Sequence, residues 1–290
     1  MDLFCFFYVP ATMRKTNRHI QQAEEKWLKK LFDYNRDHFK DIGVPSHNHW
    51  HHLRVWCFLR EILEILEEKG IQYNQDELEG MIIAAFFHDI GMYRTFDEVH
   101  GRLGAEKCRE YFATGHPHPP HSLPAALEAI EKHDDKRYHN HRQDGEKPGI
   151  DVLLAVADDL DAFGATGILR YTEILLLRGF KMEDIPQKVL SNARSRMENF
   201  ERLFAHNRYL VKKHRQRYEK IRNFFLPLAG GADQQTVNRS ILERVQNKLE
   251  VSLRAEHLVE LIEPADTPAI VAMHDEIREE QKECMEQAPT

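Results

Sequence analysis

Residues 80–92 read GMIIAAFFHDIGM, and this stretch decides how the chain is built. Residues 81–87 are all apolar and run without a break into His88 and Asp89. Such a segment belongs in an interior, so it carries an imidazole and a carboxylate to a place where an unpaired charge is costly. A cation held between them is a common way to offset that cost.

Working outward, nearly every ordered stretch reads as helix. Residues 20–39 place Trp27, Leu28, Leu31, Phe32 and Phe39 among charges. A second helix is expected from Ser46, as N-cap, to Lys69, with Gly70 just past its end. Residues 76–89, 100–112, 122–133, 151–160 and 168–177 give further helices, separated by loops at 114–122 (TGHPHPPHS) and 134–149 (DDKRYHNHRQDGEKPG). After Pro186 the texture changes to two long charged helices, 187–228 and 237–261, split by AGGADQQ. No run keeps a period of two, so the expected fold class is all-α. The expected organisation is a poorly ordered segment at 1–18, a helical core at 19–180, a helical extension at 181–262 packed on it, and an acidic tail at 263–290 that frays.

Composition narrows the function classes. With 42% hydrophobic residues the chain can bury a full core, and a net charge of -7 offers no electrostatic reason to bind nucleic acid or a membrane surface. The basic stripe at 194–225 carries Phe200, Leu203, Phe204 and Leu210 at helical spacing, so it reads as core on one side and solvated cations on the other. The opening MDLFCFFYVP is apolar but too short to span a bilayer, and Met13 reads as the working start. Cys5, Cys57, Cys108 and Cys284 show no CxxC and no framework spacing, which suits a reducing, cytoplasmic compartment. Histidine is the outlier, with 18 copies. Those in the Pro-rich and charged loops, His116, His118, His121, His139 and His141, read as solvated.

Residues four apart share a helix face. Arg54, Glu61, Glu64 and Glu68 mark the polar face of the second helix, opposite Val55, Trp56, Leu59, Ile62, Leu63 and Leu66. His51 lies one turn before Val55 and His52 one turn before Trp56, so both fall on the buried side and periodicity leaves both open. His47 shares the side of His51. In LLAVADDLDAFG, residues 153–164, Leu154, Asp158 and Asp161 share a face and Asp159 points elsewhere. Imidazole and carboxylate together suit divalent Mn, Fe, Co, Ni or Zn. Such an ion would lower the pKa of a water towards neutrality and polarise a phosphoryl oxygen.

HHLRV (51–55), AAFFHDIG (84–91), VHGRLGAEKC (99–108), AIEKHD (129–134) and VADDLDAFGATGILR (156–170), in that order, resemble the HD-domain superfamily of metal-dependent phosphohydrolases. The resemblance covers roughly residues 46 to 172. It selects His51 over His52 and implies a metal set of His51, His88, Asp89 and Asp158. It also brings in Asp161 and His133 as groups that orient water or move a proton, and Arg170 as a phosphate clamp. His100 and His133 are implied as second-metal or ligand-supporting residues. HNHWH (47–51) further resembles an element of cyclic-nucleotide phosphodiesterases whose first histidine is a general acid, which would be His47 here. The implied activity is hydrolysis of a phosphate ester or anhydride of a small nucleotide-like substrate with a divalent metal, Mg included among the candidates. Two other readings follow from the same superfamily: a non-catalytic nucleotide or metal sensor, and a di-iron oxygenase. The region after 180 resembles nothing further.

Overall fold

Every regular element among the described residues of the computed structural model is a helix: α1 (Met13–Phe39), α2 (His49–Glu68), α3 (Gln75–Phe87), α4 (His100–Ala113), α5 (Leu123–Lys132), α6 (Ile150–Asp161), α7 (Gly164–Leu177), α8 (Ile185–Phe204), α9 (Arg208–Ala229), α10 (Val237–Val251) and α11 (Pro268–Met285). The structure describes residues 13–42, 44–97, 99–113, 117–134, 147–230, 237–251 and 255–289. The fold is all-α, as the periodicity requires. Of the segment expected to be poorly ordered, residues 1–12 lie outside the described ones, and α1 is already helical from Met13. His116, His139 and His141 also lie outside, while His118 and His121 are exposed.

Helix α3 is the axis of the core. From Leu78 to Phe87 every residue is buried, as a helix apolar on all sides must be. Helices α1, α2, α5 and α6 pack around it. Its start is fixed by a capping box: Asn74 accepts the Glu77 N–H and the Glu77 carboxylate accepts the Asn74 N–H. Helix α2 ends at Gly70, whose φ of 82° is the left-handed conformation expected of that glycine. Its N-cap differs from the expectation. Asn48 caps it by accepting the Trp50 N–H, while Ser46 donates its N–H to Glu173 instead.

Beyond residue 180 the structure departs from the sequence reading in three ways. The expected helix 187–228 is broken at 205–207, because the Asn207 side chain accepts the Leu210 N–H and starts α9 afresh. Helices α8 and α9 then lie antiparallel, with Phe200 5.2 Å from His214 between ring centroids and Glu201 paired with Arg215. The expected helix 237–261 stops at Val251, and Leu258–Ile262 forms a separate 3-10 turn. The acidic tail does not fray. Pro268 opens α11, which buries Ile270 and Ile277, and Cys284 near its end is disulfide-bonded to Cys57 of α2. These two cysteines are 227 residues apart with Cα atoms 6.0 Å apart, a pairing that linear spacing hid. No helix among the described residues is long and apolar enough to cross a membrane.

These later helices hold the core's chain reversal in place. Only Ala162 and Phe163 separate α6 from α7. Arg217 of α9 donates to the carbonyls of Leu160 and Phe163 at 2.8 and 3.0 Å, satisfying the C-terminal end of α6. Glu280 of α11 accepts the N–H groups of Ala165 and Thr166 at 2.9 and 3.0 Å, placing a negative charge at the N-terminus of α7. Helix α6 carries Asp158 and α7 carries Arg170, so the extension fixes the spacing of two candidate site residues.

Candidate metal centre

Three helix termini and two helix bodies converge at the end of α3. His88 is the C-cap of α3 and Asp89 follows it. His133 is the C-cap of α5, and His100 opens α4. Helix α4 can approach so closely because of its glycines. A Cβ on Gly104 would stand 2.5 Å from the Phe87 carbonyl, and one on Gly101 would stand 2.9 Å from that of Ile130. Helix α2 contributes His51 and helix α6 contributes Asp158.

The four histidines share one arrangement. The Nδ1 of His88, His100 and His133 lies 2.9, 2.6 and 2.7 Å from the carbonyl three residues earlier, of Ala85, Asp97 and Ile130. The Nδ1 of His51 lies 2.8 Å from Asp161 Oδ2. Carbonyls and carboxylates only accept, so every Nδ1 carries a proton, and in the neutral ring each Nε2 turns its lone pair inward. The Nε2 atoms meet in pairs at 3.1 Å, His51 with His88 and His100 with His133. Two lone pairs so placed repel when both rings are neutral, and either a proton or a cation between them relieves that repulsion.

Asp89 lies between the pairs. Its Oδ2 is 3.2 Å from His51 Nε2 and 3.5 Å from His88 Nε2, while its Oδ1 is 3.1 Å from His100 Nε2 and 3.0 Å from His133 Nε2. Asp158 Oδ1 is 3.7 Å from His51 Nε2. Two donor sets result, His51–His88–Asp89–Asp158 and Asp89–His100–His133, each with ligand atoms within 4.8 Å of one another and all buried. Imidazole nitrogen and carboxylate oxygen in these numbers fit a divalent transition ion.

The electrostatics agree. Burial pushes the Asp89 carboxyl upward, but His88 and the bonds from His100, His133 and His51 outweigh it and hold the carboxyl well below its usual range. Burial opposes protonation of His133, yet Asp134 and Asp89 push it up to about 9. His88 is held down to about 3, chiefly by burial. The carboxylates of this centre therefore demand positive charge beside them, from protons or from an ion.

Asp161 occupies a different place from the one expected. It is fully buried behind His51 and lies outside both donor sets. Its carboxylate accepts two bonds from Arg54, at 2.8 and 3.0 Å, and pairs with Arg170 Nη1 at 2.9 Å. It fixes the tautomer of His51 and acts through it. Arg54 is correspondingly buried, not on the polar face where periodicity put it. His52 turns away and bonds Asn35 at 2.5 Å. Arg170 Nη2 lies 3.3 Å from both Asp158 Oδ1 and His47 Nε2 and 3.4 Å from His51 Nε2. His47 Nε2 is 4.0 Å from Asp89, and burial, then the Arg170 charge, hold its pKa well below the usual value.

Glu173, Arg196 and Asp134 escaped the sequence reading. Glu173, whose carboxyl burial pushes up to about 7, anchors the Ser46 N–H and so the segment bearing His47. Asp159 pairs with Arg196 of α8 at 2.7 Å, and Asp134 lies 3.1 Å from His100. The i+3 spacing from Arg170 could have found Glu173; nothing local could have found Arg196.

The family model described as HD domain matches residues 50–163. Searches of the curated proteins and of the solved structures each give no match. The matched span includes both donor sets, and His47 and Arg170 flank it. Residues 50–163 therefore match the HD-domain family, and the match is confined to that segment of the chain.

Proposed function

We propose that the chain is a metal-dependent phosphohydrolase that cleaves a phosphate ester or anhydride of a small nucleotide-like substrate. HD domains are largely metal-dependent phosphohydrolases, and the observation that carries the reading here is the gathering of four histidine Nε2 atoms and two carboxylates into two adjoining buried donor sets. An ion held by His51, His88, Asp89 and Asp158 supplies Lewis acidity, drawing charge from a phosphoryl oxygen and acidifying water. Arg170 faces the same point with Nη2 and pairs with phosphoryl oxygens. His47 Nε2 accepts from Arg170 and, neutral at rest, is placed to take up a proton near the reacting oxygen. Asp161 keeps His51 in its ligating tautomer.

The test is release of phosphate or pyrophosphate from a panel of nucleotides and phosphomonoesters with added Mn, Co or Mg, beside Asp158→Ala. Metal-dependent turnover that the variant loses is the expected result. Metal-binding protein with no turnover on any member of the panel would overturn the proposal. One observation favours a second reading. Asp89 offers one oxygen to each donor set, so a second ion could be held beside the first, as a di-iron oxygenase would require. Iron-loaded protein with a mixed-valent paramagnetic signal and substrate-dependent oxygen uptake would select it.

A further inference from the structure

The HD match ends at Asp159's helix, yet the side chain that closes one side of the centre comes from far outside it. Helix α8 buries Val189, Ala193, Met197 and Phe200 on its inner face, and Arg196 stands at the edge of that face. Its Nη1 is 2.7 Å from Asp159 Oδ1 and 3.6 Å from Asp158 Oδ2. Its guanidinium carbon lies 5.8 Å from the centre of the Tyr171 ring, one residue beyond Arg170. Arg170 meanwhile approaches the other oxygen of Asp158. Two guanidiniums therefore flank one carboxylate of the candidate metal set, each from a different helix. They differ in exposure. The Arg170 side chain is 6% exposed and that of Arg196 is 19%, so Arg196 is the one closer to solvent.

Asp159 explains why Arg196 is held there. A carboxylate next to Asp158 on a buried helix, turned about 100° away from it, would be a liability by itself. Paired with Arg196, it fixes a flexible side chain beside Asp158. We propose that Arg196 is a substrate-binding residue which, with Arg170, grips the unsubstituted oxygens of a terminal phosphoryl group, and that Asp159 is the positioning residue for it. The proposal rests on the phosphohydrolase reading and names its substrate class. An ion on one side and two guanidiniums on the other address three oxygens. A phosphomonoester or a terminal nucleotide phosphate has three unsubstituted oxygens, and a diester has two. The helical extension is then part of the substrate site as well as a support for the core.

The experiment compares full-length wild type with Arg196→Ala, Arg196→Lys and Asp159→Asn. Thermal unfolding and Mn2+ affinity are measured first, then binding of inorganic phosphate to the Mn2+-loaded protein by calorimetry, then kcat and KM on phosphomonoesters and diesters. Losing one charge-assisted contact should weaken phosphate binding by roughly 10- to 100-fold. Mn2+ affinity should stay within about 2-fold because no ligand atom is removed. KM should rise more than kcat falls, Lys should restore part of the loss, and Asp159→Asn should behave as a weaker Arg196→Ala. A folded Arg196→Ala protein with unchanged phosphate affinity and KM overturns the proposal, as does a wild type that prefers diesters. If the variants lose phosphate binding while wild type turns over nothing, the anion site stands and the hydrolase reading fails. If wild type turns over phosphomonoesters and Arg196→Ala equals it, the hydrolase stands and the clamp fails.

Discussion

Asp161→Asn separates a residue that acts through His51 from one that touches the reacting groups. The carboxylate is fully buried and is surrounded by four polar contacts: two from Arg54, one from Arg170 and one from His51 Nδ1. Asparagine keeps the volume and removes the charge. Its amide nitrogen must also face at least one N–H donor, so one contact turns repulsive. Two guanidiniums, each about 95% buried, are then left without their shared counter-charge. Breaking a buried charge network from one side costs about 3–5 kcal/mol, a large share of the roughly 5–15 kcal/mol that holds a domain folded. The urea midpoint should fall accordingly with an unchanged slope. Independently, His51 loses the acceptor that fixes its tautomer, and Mn2+ affinity, measured by chelator competition, should fall about 10- to 100-fold. Asp159→Asn is the control, because Asp159 does not touch His51 and should leave Mn2+ affinity close to wild type. Asp161→Asn protein that binds Mn2+ within a factor of two of wild type, with an unchanged urea midpoint, would refute this account of the centre.

Two further expectations concern the supporting structure. Glu280→Ala removes the carboxylate that accepts the Ala165 and Thr166 N–H groups, and should cost about 1–2 kcal/mol in urea unfolding; a midpoint equal to wild type would mean that water caps α7 equally well. His214, sealed between Phe58 and Phe200, is held down to about 4, chiefly by burial, so Lys213 carries the charge opposite Glu61 at neutral pH. The unfolded chain takes up a proton near pH 6.5 that the native chain refuses until about 4. Its contribution is therefore intact above pH 6.5 and lost as the pH falls through that window, by about 3 kcal/mol. Unfolding free energies of wild type and His214→Gln, compared at pH 7 and pH 4.5, should diverge by that order, and parallel profiles would contradict it.

The legible part of this protein was local. A run of apolar residues ending in His88 and Asp89 determined a buried helix with metal-binding chemistry at its end, because helical period and residue type are properties of neighbours in the chain. The same logic put His51 and Asp158 among the candidates and Gly70 at a helix end, while Arg170 came from the resemblance to the HD-domain superfamily. Where two residues shared a buried side, as His51 and His52 do, periodicity had no answer. Packing supplied one: His52 meets Asn35 on α1, and His51 meets the end of α3. Arg54 was assigned to solvent because arginine usually is, but Asp161, 107 residues away, draws it inward.

What lay beyond reach was every contact between distant elements. The break before α9, the docking of α11, the Cys57–Cys284 bond and the Asp159–Arg196 pair each depend on which faces of two helices meet and in what register. A periodic pattern orients each helix about its own axis and says nothing of its neighbour. The sequence by itself determined an all-helical chain with a His/Asp centre at the end of its most buried helix. Only the tertiary structure decided that the residues after 180 cap, staple and line that centre, because those pairings are made by packing across the fold rather than by spacing along the chain.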